Sequence, residues 1–154
     1  MKLAILIVGK QNSGKTSTIK HLINKHCDKS LSIMRAGWQY PFLISTFKSL
    51  RLNVFCIPAS PTETGIELRD RFKDWDYIPQ VLILAEQSIP SKYPSTISYL
   101  TANGYTIIQY NILDTNGAMD WERFTSKNET IKLDSRVNQI VNDIKTFIKT
   151  NGII

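Results

Sequence analysis

The sequence predicts an α/β fold of three layers, with a mostly parallel central sheet and helices on both of its faces. Short apolar runs typical of buried strands alternate along the chain with segments of helical periodicity. Such alternation favours βαβ units and a parallel sheet. The chain has 154 residues, enough for one core, and it contains no repeat, low-complexity tract or linker. We therefore expect a single domain over residues 1–154.

The first half of the chain predicts three strands and three helices. The opening strand is an apolar run, and in the helix that follows Ile19, Leu22 and Ile23 share one face. The remaining segments follow from the same two periodicities. In order, the predicted elements are strand Lys2–Val8, helix Lys15–His26, strand Ser30–Arg35, a helix within Pro41–Leu50, strand Asn53–Ile57 and helix Thr64–Phe72.

The second half predicts two strands and two helices. Strand Gln80–Ala85 contains a run of apolar residues typical of a strand buried on both faces. Helix Ser95–Asn103 ends at Gly104, a natural C-cap, and strand Tyr105–Tyr110 follows. Residues 111–134 are polar and irregular, and their sequence predicts neither a helix nor a strand. A final helix begins at an Asp134 or Ser135 cap, ends near Asn151-Gly152, and carries one apolar face formed by Val137, Ile140, Val141, Ile144 and Ile148.

Composition and charge exclude several classes of protein. The two cysteines, Cys27 and Cys56, are too few for a metal cluster or a disulfide scaffold, and Cys56 is expected in the core. No apolar run reaches the length of a membrane span, and the N-terminus does not resemble a signal peptide, so we expect a cytoplasmic protein without membrane association. The net charge of +6 is dispersed, which does not indicate nucleic-acid binding but suits an anionic ligand.

The most informative segment is Gly9–Thr16, which reads Gly-Lys-Gln-Asn-Ser-Gly-Lys-Thr. This is the Walker A pattern G-x-x-x-x-G-K-[ST], and it lies between a predicted buried strand and a predicted helix N-terminus, as its mechanism requires. Backbone N–H groups of such a loop and of the helix start bind phosphate. Two glycines allow the backbone to turn tightly and to approach the phosphate oxygens. The candidate nucleotide-binding residues are Gly9, Asn12, Ser13, Gly14, Lys15, Thr16 and Ser17.

On these residues the chain resembles the P-loop NTPase superfamily, tightly over about fifteen residues and loosely elsewhere. The resemblance implies the three-layer P-loop fold and a bound nucleoside triphosphate with Mg²⁺. Lys15 would contact the β- and γ-phosphates, and the Thr16 hydroxyl would bind Mg²⁺. ATP is the expected nucleotide and GTP the alternative.

Hydrolysis or transfer by such a site usually also needs an acidic residue at the end of a neighbouring strand. No predicted strand ends in an aspartate after four apolar residues, and the best candidate is Glu86, directly after the predicted strand Gln80–Ala85. Glu86 would hold the Mg²⁺ shell or position water beside Thr16. The alternative is an ordinary surface glutamate.

Two further segments resemble GTPase elements more weakly. Thr62-Glu63-Thr64-Gly65 has Thr where the D-x-x-G element has Asp, and a turn with a helix cap explains it equally well. Asn111-Ile112-Leu113-Asp114 lacks the Lys of the guanine-reading N-K-x-D element, so chance is favoured and GTP specificity is in doubt.

The remaining polar and aromatic residues are expected to have structural roles or to lie at the surface. None of the six arginines forms a lid signature of the kind small kinases use, and Arg69 and Arg71 are expected to be exposed on a helix. His21 and His26 are expected to be structural or solvent-facing. Trp121 and the other tryptophans are expected to pack in the core or at its rim.

Three functions therefore remain open. The first is an ATPase with Lys15 and Glu86 as the catalytic residues and Thr16 and Glu86 at the metal. The second is a small-molecule or nucleotide kinase. The third is a GTPase-like or non-catalytic nucleotide-binding module that signals to a protein partner, which the missing aspartate favours.

Overall fold

The computed structural model describes residues 1–10, 13–26, 54–57, 60–73, 78–87, 92–113, 121–122 and 124–152. Its strands are β1 (Lys2–Gly9), β2 (Val54–Ile57), β3 (Val81–Gln87), β4 (Tyr105–Leu113) and β5 (Trp121–Glu122). Its helices are α1 (Lys15–His26), α2 (Pro61–Thr64), α3 (Leu68–Arg71), α4 (Lys92–Ala102) and α5 (Glu129–Thr150). The alternation of strands and helices predicted from the sequence is therefore confirmed for this part of the chain.

The five described strands form one parallel sheet in the order β2-β3-β1-β4-β5. The central strand β1 pairs with β3 on one side and with β4 on the other, and its apolar run is buried because both of its faces are covered. The chain has an α/β fold with helices on both faces of a parallel sheet, as predicted.

Two apolar clusters lie on opposite faces of the sheet because successive strand residues point to opposite sides. The first cluster joins Leu3, Ile5 and Ile7 of β1 to the apolar stripes of α1 and α5. The second joins Ala4, Leu6 and Val8 to the smaller α3 and α4 side, where Leu68 and Leu100 are buried. Cys56 is buried in the first cluster, as expected.

Several predicted boundaries are wrong for local reasons. Within the predicted helix Thr64–Phe72 only Leu68–Arg71 forms a helix, because α2 ends at Thr64 and Gly65 follows it with a φ of +72°. The final helix begins at Glu129 with Asn128 at its cap position, five residues before Asp134. Its first turn is mostly exposed, so no apolar periodicity marks it in the sequence.

Strand β4 continues to Leu113, so Asn111 lies within the strand and does not follow it. The predicted strand Ser30–Arg35 and the predicted helix within Pro41–Leu50 lie outside the described residues. Among the helices that the structure describes, none combines the length and the apolar character needed to cross a membrane.

Candidate phosphate-binding loop

The segment Gly9–Thr16, called here the glycine loop, connects the carboxyl end of β1 to the first turn of α1. Among the described strands, the chain leaves β1 towards β2 and leaves the adjacent β4 towards β5, which lies on the opposite side. Ligands of open α/β sheets bind at the carboxyl ends of strands where neighbouring connections diverge in this way. The loop therefore occupies the position in the sheet where a ligand site is expected.

Both loop glycines lie where a side chain would collide with a neighbour. A Cβ on Gly9 would lie 2.4 Å from Ser13 Oγ and 3.2 Å from Ile112 Cβ. Gly14 adopts a φ of +93°, and a Cβ there would lie 2.5 Å from the ring of Phe124. The fixed glycines of the motif are thus required by the close approach of chain segments, and at Gly14 also by the backbone conformation.

Lys15 turns back over the loop instead of extending into solvent. Its side chain is buried, and Nζ donates hydrogen bonds to the carbonyl oxygens of Gly9 at 3.0 Å and of Lys10 at 2.7 Å. These bonds hold a positive charge inside the loop, at the end of α1 where the first N–H groups have no intrahelical acceptor. The arrangement concentrates positive potential where an anion would bind.

The loop and the first turn of α1 also carry hydroxyl groups. Ser13 Oγ is buried and, within the described part of the chain, has no hydrogen-bond partner. Thr16 is exposed and Ser17 is half-buried in the first turn of α1. Because a buried hydroxyl without a partner is costly, Ser13 Oγ is a group that a bound oxyanion would satisfy. Asn12 lies outside the described residues.

Glu86 lies beside the strand that carries the loop, and it is fully buried. It pairs in register with Val8 and, by strand alternation, points to the face that α4 covers. Its Oε2 accepts a hydrogen bond from Thr96 Oγ1, and its Oε1 accepts one from the backbone N–H of Gln87, both at 2.9 Å. The reading of Glu86 as an ordinary surface residue is therefore wrong.

The expectation that Arg71 is exposed is wrong too, because this side chain is half-buried on the same face of the sheet as Glu86. Arg71 Nη2 donates to Thr64 Oγ1 at 2.6 Å. Burial lowers the pKa of Arg71, and the negative charge of Glu86 acts in the opposite direction. Arg69, in contrast, is 73% exposed, as expected. A carboxylate, a guanidinium and two hydroxyls thus form a polar cluster on the α4 side of the sheet.

The sequence interpretation missed a second group behind the glycine loop. The rings of Tyr110 and Trp121 stack in parallel with centroids 4.3 Å apart. The guanidinium carbon of Arg136 lies 5.3 Å from the Trp121 centroid and 5.0 Å from that of Phe124. We call Tyr110, Trp121, Arg136 and Phe124 the aromatic–arginine stack.

Arg136 is 2% exposed, and burial lowers its pKa to about 10, so it keeps its charge at neutral pH. The apolar stripe of α5 begins at Leu133 and places Arg136 on the same buried face as Val137 and Ile140. That spacing was available in the sequence, because Arg136 lies one turn before Ile140 within the predicted helix.

The other predicted site residues are not brought into this group. Asn111 accepts a hydrogen bond from Gln109 Nε2 at 2.8 Å on the α4 side, and Asp114 lies outside the described residues. His21 Nε2 lies 2.7 Å from Asp134 Oδ1 between α1 and α5, which fits a structural role. Among the described residues, no group of three or more His, Cys, Asp or Glu side chains converges as a metal site.

Comparisons of the chain with protein-family models, with curated proteins and with solved structures found no match.

Proposed function

We propose that the chain binds a nucleoside triphosphate with Mg²⁺ at the glycine loop and hydrolyses it. ATP is the preferred nucleotide of this proposal. The observation that carries this proposal is the buried ammonium of Lys15 inside a loop that joins the central parallel strand to a helix N-terminus. An ammonium held at a helix N-terminus adds its charge to the positive end of the helix dipole, and together they attract an anion. A polyphosphate is a ligand that uses a lysine, a helix N-terminus and an unsatisfied hydroxyl together.

Lys15 Nζ donates to the backbone carbonyls of Gly9 and Lys10, and such neutral acceptors can be exchanged for a ligand. A bound polyphosphate offers charged oxygens, which form stronger hydrogen bonds with an ammonium group than carbonyls do. We infer that Lys15 Nζ leaves the carbonyls of Gly9 and Lys10 and transfers to the phosphates when the nucleotide binds. Ser13 Oγ then donates to the same ligand.

The donor set suits Mg²⁺. This ion binds to proteins through one or two oxygen ligands, with water and substrate phosphates completing its shell. The Thr16 hydroxyl is the proposed direct oxygen ligand. Glu86, whose two oxygens accept hydrogen bonds on the α4 side, would exchange one of those bonds to hold a metal-bound water. Bound there, the ion would neutralise phosphate charge during transfer.

One observation favours a second candidate, a nucleotide-binding module without catalytic activity. Both oxygens of Glu86 accept hydrogen bonds, and the charge of Arg71 acts on the same carboxylate. These partners occupy acceptor positions of the carboxylate and hold it in the fold, so fewer positions remain for a reacting water. In the module, Glu86 would bind segment 60–73 to the sheet, and the conformation of that segment would report the nucleotide to a protein partner.

Calorimetric titration of Lys15→Met with Mg-ATP and with Mg-GTP tests the binding proposal. Methionine keeps the aliphatic stem of the side chain and removes the charge, so we expect the fold to persist and the affinity for ATP to fall at least about tenfold, or about 1.4 kcal/mol. Lys20→Ala, further along the same helix, is the matched control and should bind like wild type. Unchanged affinity of Lys15→Met for both nucleotides would refute the proposed nucleotide binding at the glycine loop.

Glu86→Gln separates the two candidates. The amide keeps the shape and removes the charge, so we expect Mg-ATP binding to persist while phosphate release slows at least about tenfold, because a charged carboxylate no longer orients the water or the metal. Wild-type turnover in this variant contradicts a catalytic role for Glu86. A wild-type protein that binds Mg-ATP without any turnover establishes the module.

A further inference from the structure

The aromatic–arginine stack reaches the glycine loop through two separate contacts. The first is apolar, because the Phe124 ring lies so close to Gly14 that a Cβ there would be 2.5 Å from Phe124 Cε1. The second is a hydrogen-bond relay. Arg136 Nη1 donates to Thr18 Oγ1 at 3.0 Å, and Thr18 Oγ1 donates to the carbonyl oxygen of Gly14 at 2.7 Å. Both contacts converge on the residue that precedes Lys15.

The relay reinforces the helical hydrogen bond that orients one peptide plane of the loop. The Gly14 carbonyl and the Lys15 N–H belong to the same planar trans peptide, so they point in opposite directions. Thr18 Oγ1 and the Thr18 N–H, which donates at 3.0 Å, both draw the Gly14 carbonyl towards the body of α1. The Lys15 N–H is therefore turned away from the helix and towards the interior of the loop.

We propose that Arg136 is a positioning residue for phosphate binding, which acts through Thr18 to orient the Gly14–Lys15 peptide before the ligand arrives. The inference rests on the proposed nucleotide binding and names a residue on α5, 121 positions from Lys15, that this binding requires. A preoriented N–H group costs no reorganisation when the anion binds.

The aromatic–arginine stack restricts the side chain of Arg136 more than solvent would restrict an exposed arginine. Its guanidinium lies between two aromatic rings, and Trp121 is itself fixed by its ring contact with Tyr110 and by a hydrogen bond from Nε1 to Gln139 Oε1 at 2.6 Å. Cation–π contacts are strongest when the cation is desolvated. A guanidinium that cannot change its rotamer keeps Nη1 directed at Thr18.

The first arm of the test uses ligand-free protein and does not depend on nucleotide binding. In Arg136→Met we expect the Gly14 and Lys15 amide resonances to move. We also expect hydrogen exchange of the Thr18 amide, which donates to the same Gly14 carbonyl, to quicken at least about tenfold, because the relay ends at Thr18. Methionine in place of a buried arginine often preserves stability. Thr18→Val, which removes only the hydroxyl, should produce the same changes and serves if Arg136→Met does not fold.

Ile144→Val is the matched control, two turns further along α5, where it removes a buried methyl group without touching the stack. It should leave the Gly14 and Lys15 resonances and the exchange rate of the Thr18 amide unchanged. Wild-type Gly14 and Lys15 resonances together with a wild-type Thr18 exchange rate, in both Arg136→Met and Thr18→Val, would overturn the inference.

The second arm measures Mg-ATP affinity. We expect Arg136→Met and Thr18→Val each to weaken binding about tenfold and the double variant to weaken it no further, because both changes break one relay. Fully additive losses, or affinities within about twofold of wild type, overturn the positioning role while leaving the proposed binding intact. If wild-type protein does not bind Mg-ATP, the proposed function fails, and the first arm alone decides whether Arg136 orients the loop.

Discussion

Gly14→Ala combines a change of backbone strain with a side-chain collision, and the structure allows the two effects to be separated. Gly14 has a φ of +93°, and an added Cβ would lie 2.5 and 2.7 Å from two carbons of the Phe124 ring. Gly104 has a similar φ of +77°, but a Cβ there would meet nothing within 4 Å. Gly104→Ala is therefore a matched control that carries the strain without the collision.

The expected magnitudes follow from this geometry. An alanine in the left-handed region costs about 1–2 kcal/mol, and the reduced freedom of the unfolded chain returns about 0.4–1 kcal/mol. Both terms apply equally to the two variants. The collision with the ring acts only at Gly14, and overpacking of this kind costs about 1–3 kcal/mol. We expect Gly14→Ala to lose about 1–3 kcal/mol more unfolding free energy than Gly104→Ala.

Urea denaturation of the two variants, followed by circular dichroism, measures this difference. Phe124→Ala in the Gly14→Ala background should remove most of the difference, because the ring no longer opposes the new methyl group. If the two glycine variants differ by less than about 0.5 kcal/mol, the ring does not press on Gly14 and the geometric reasoning is refuted. Gly14→Ala should also weaken Mg-ATP binding, while Gly104→Ala should not.

Two predictions concern stability against pH. Hydrogen bonds from Lys25 and His21 lower the pKa of Asp134 below its ordinary value of 3.8. Their stabilisation of the fold is therefore present above pH 3.8 and is lost as pH falls through the folded pKa. Asp134→Asn should reduce this loss of unfolding free energy at acid pH, measured by urea denaturation, and an unchanged loss contradicts the prediction. Burial and then the charges of Lys25, Lys145 and His21 lower the pKa of His26 below 6.5. Just below pH 6.5 the unfolded chain therefore binds more protons than the folded chain, so the unfolding free energy falls as pH falls through that value. His26→Gln should make the unfolding free energy less dependent on pH in this range, and an equally steep dependence refutes the prediction.

The helices and strands nearest the site could be predicted because their signals are local. The bounds of α1 agree with the prediction at both ends, since an apolar face and a motif with fixed glycines mark it. The start of α5 could not be predicted, because its first turn is mostly exposed and Asn128 makes no side-chain capping bond. The start of the predicted helix Thr64–Phe72 is wrong because Gly65 adopts a positive φ, which helical periodicity does not report.

The sequence by itself determined the glycine loop and its lysine, because the spacing of Gly9, Gly14 and Lys15 is a property of eight consecutive residues. Only the tertiary structure decided which distant side chains join them. Strand register pairs Glu86 with Val8 and turns its carboxylate to the α4 side, where it meets Thr96. The packing of α5 against α1 brings Arg136 to Thr18 across 118 positions of sequence. Such contacts depend on how sheet faces and helix stripes are buried together, and no local pattern contains that information.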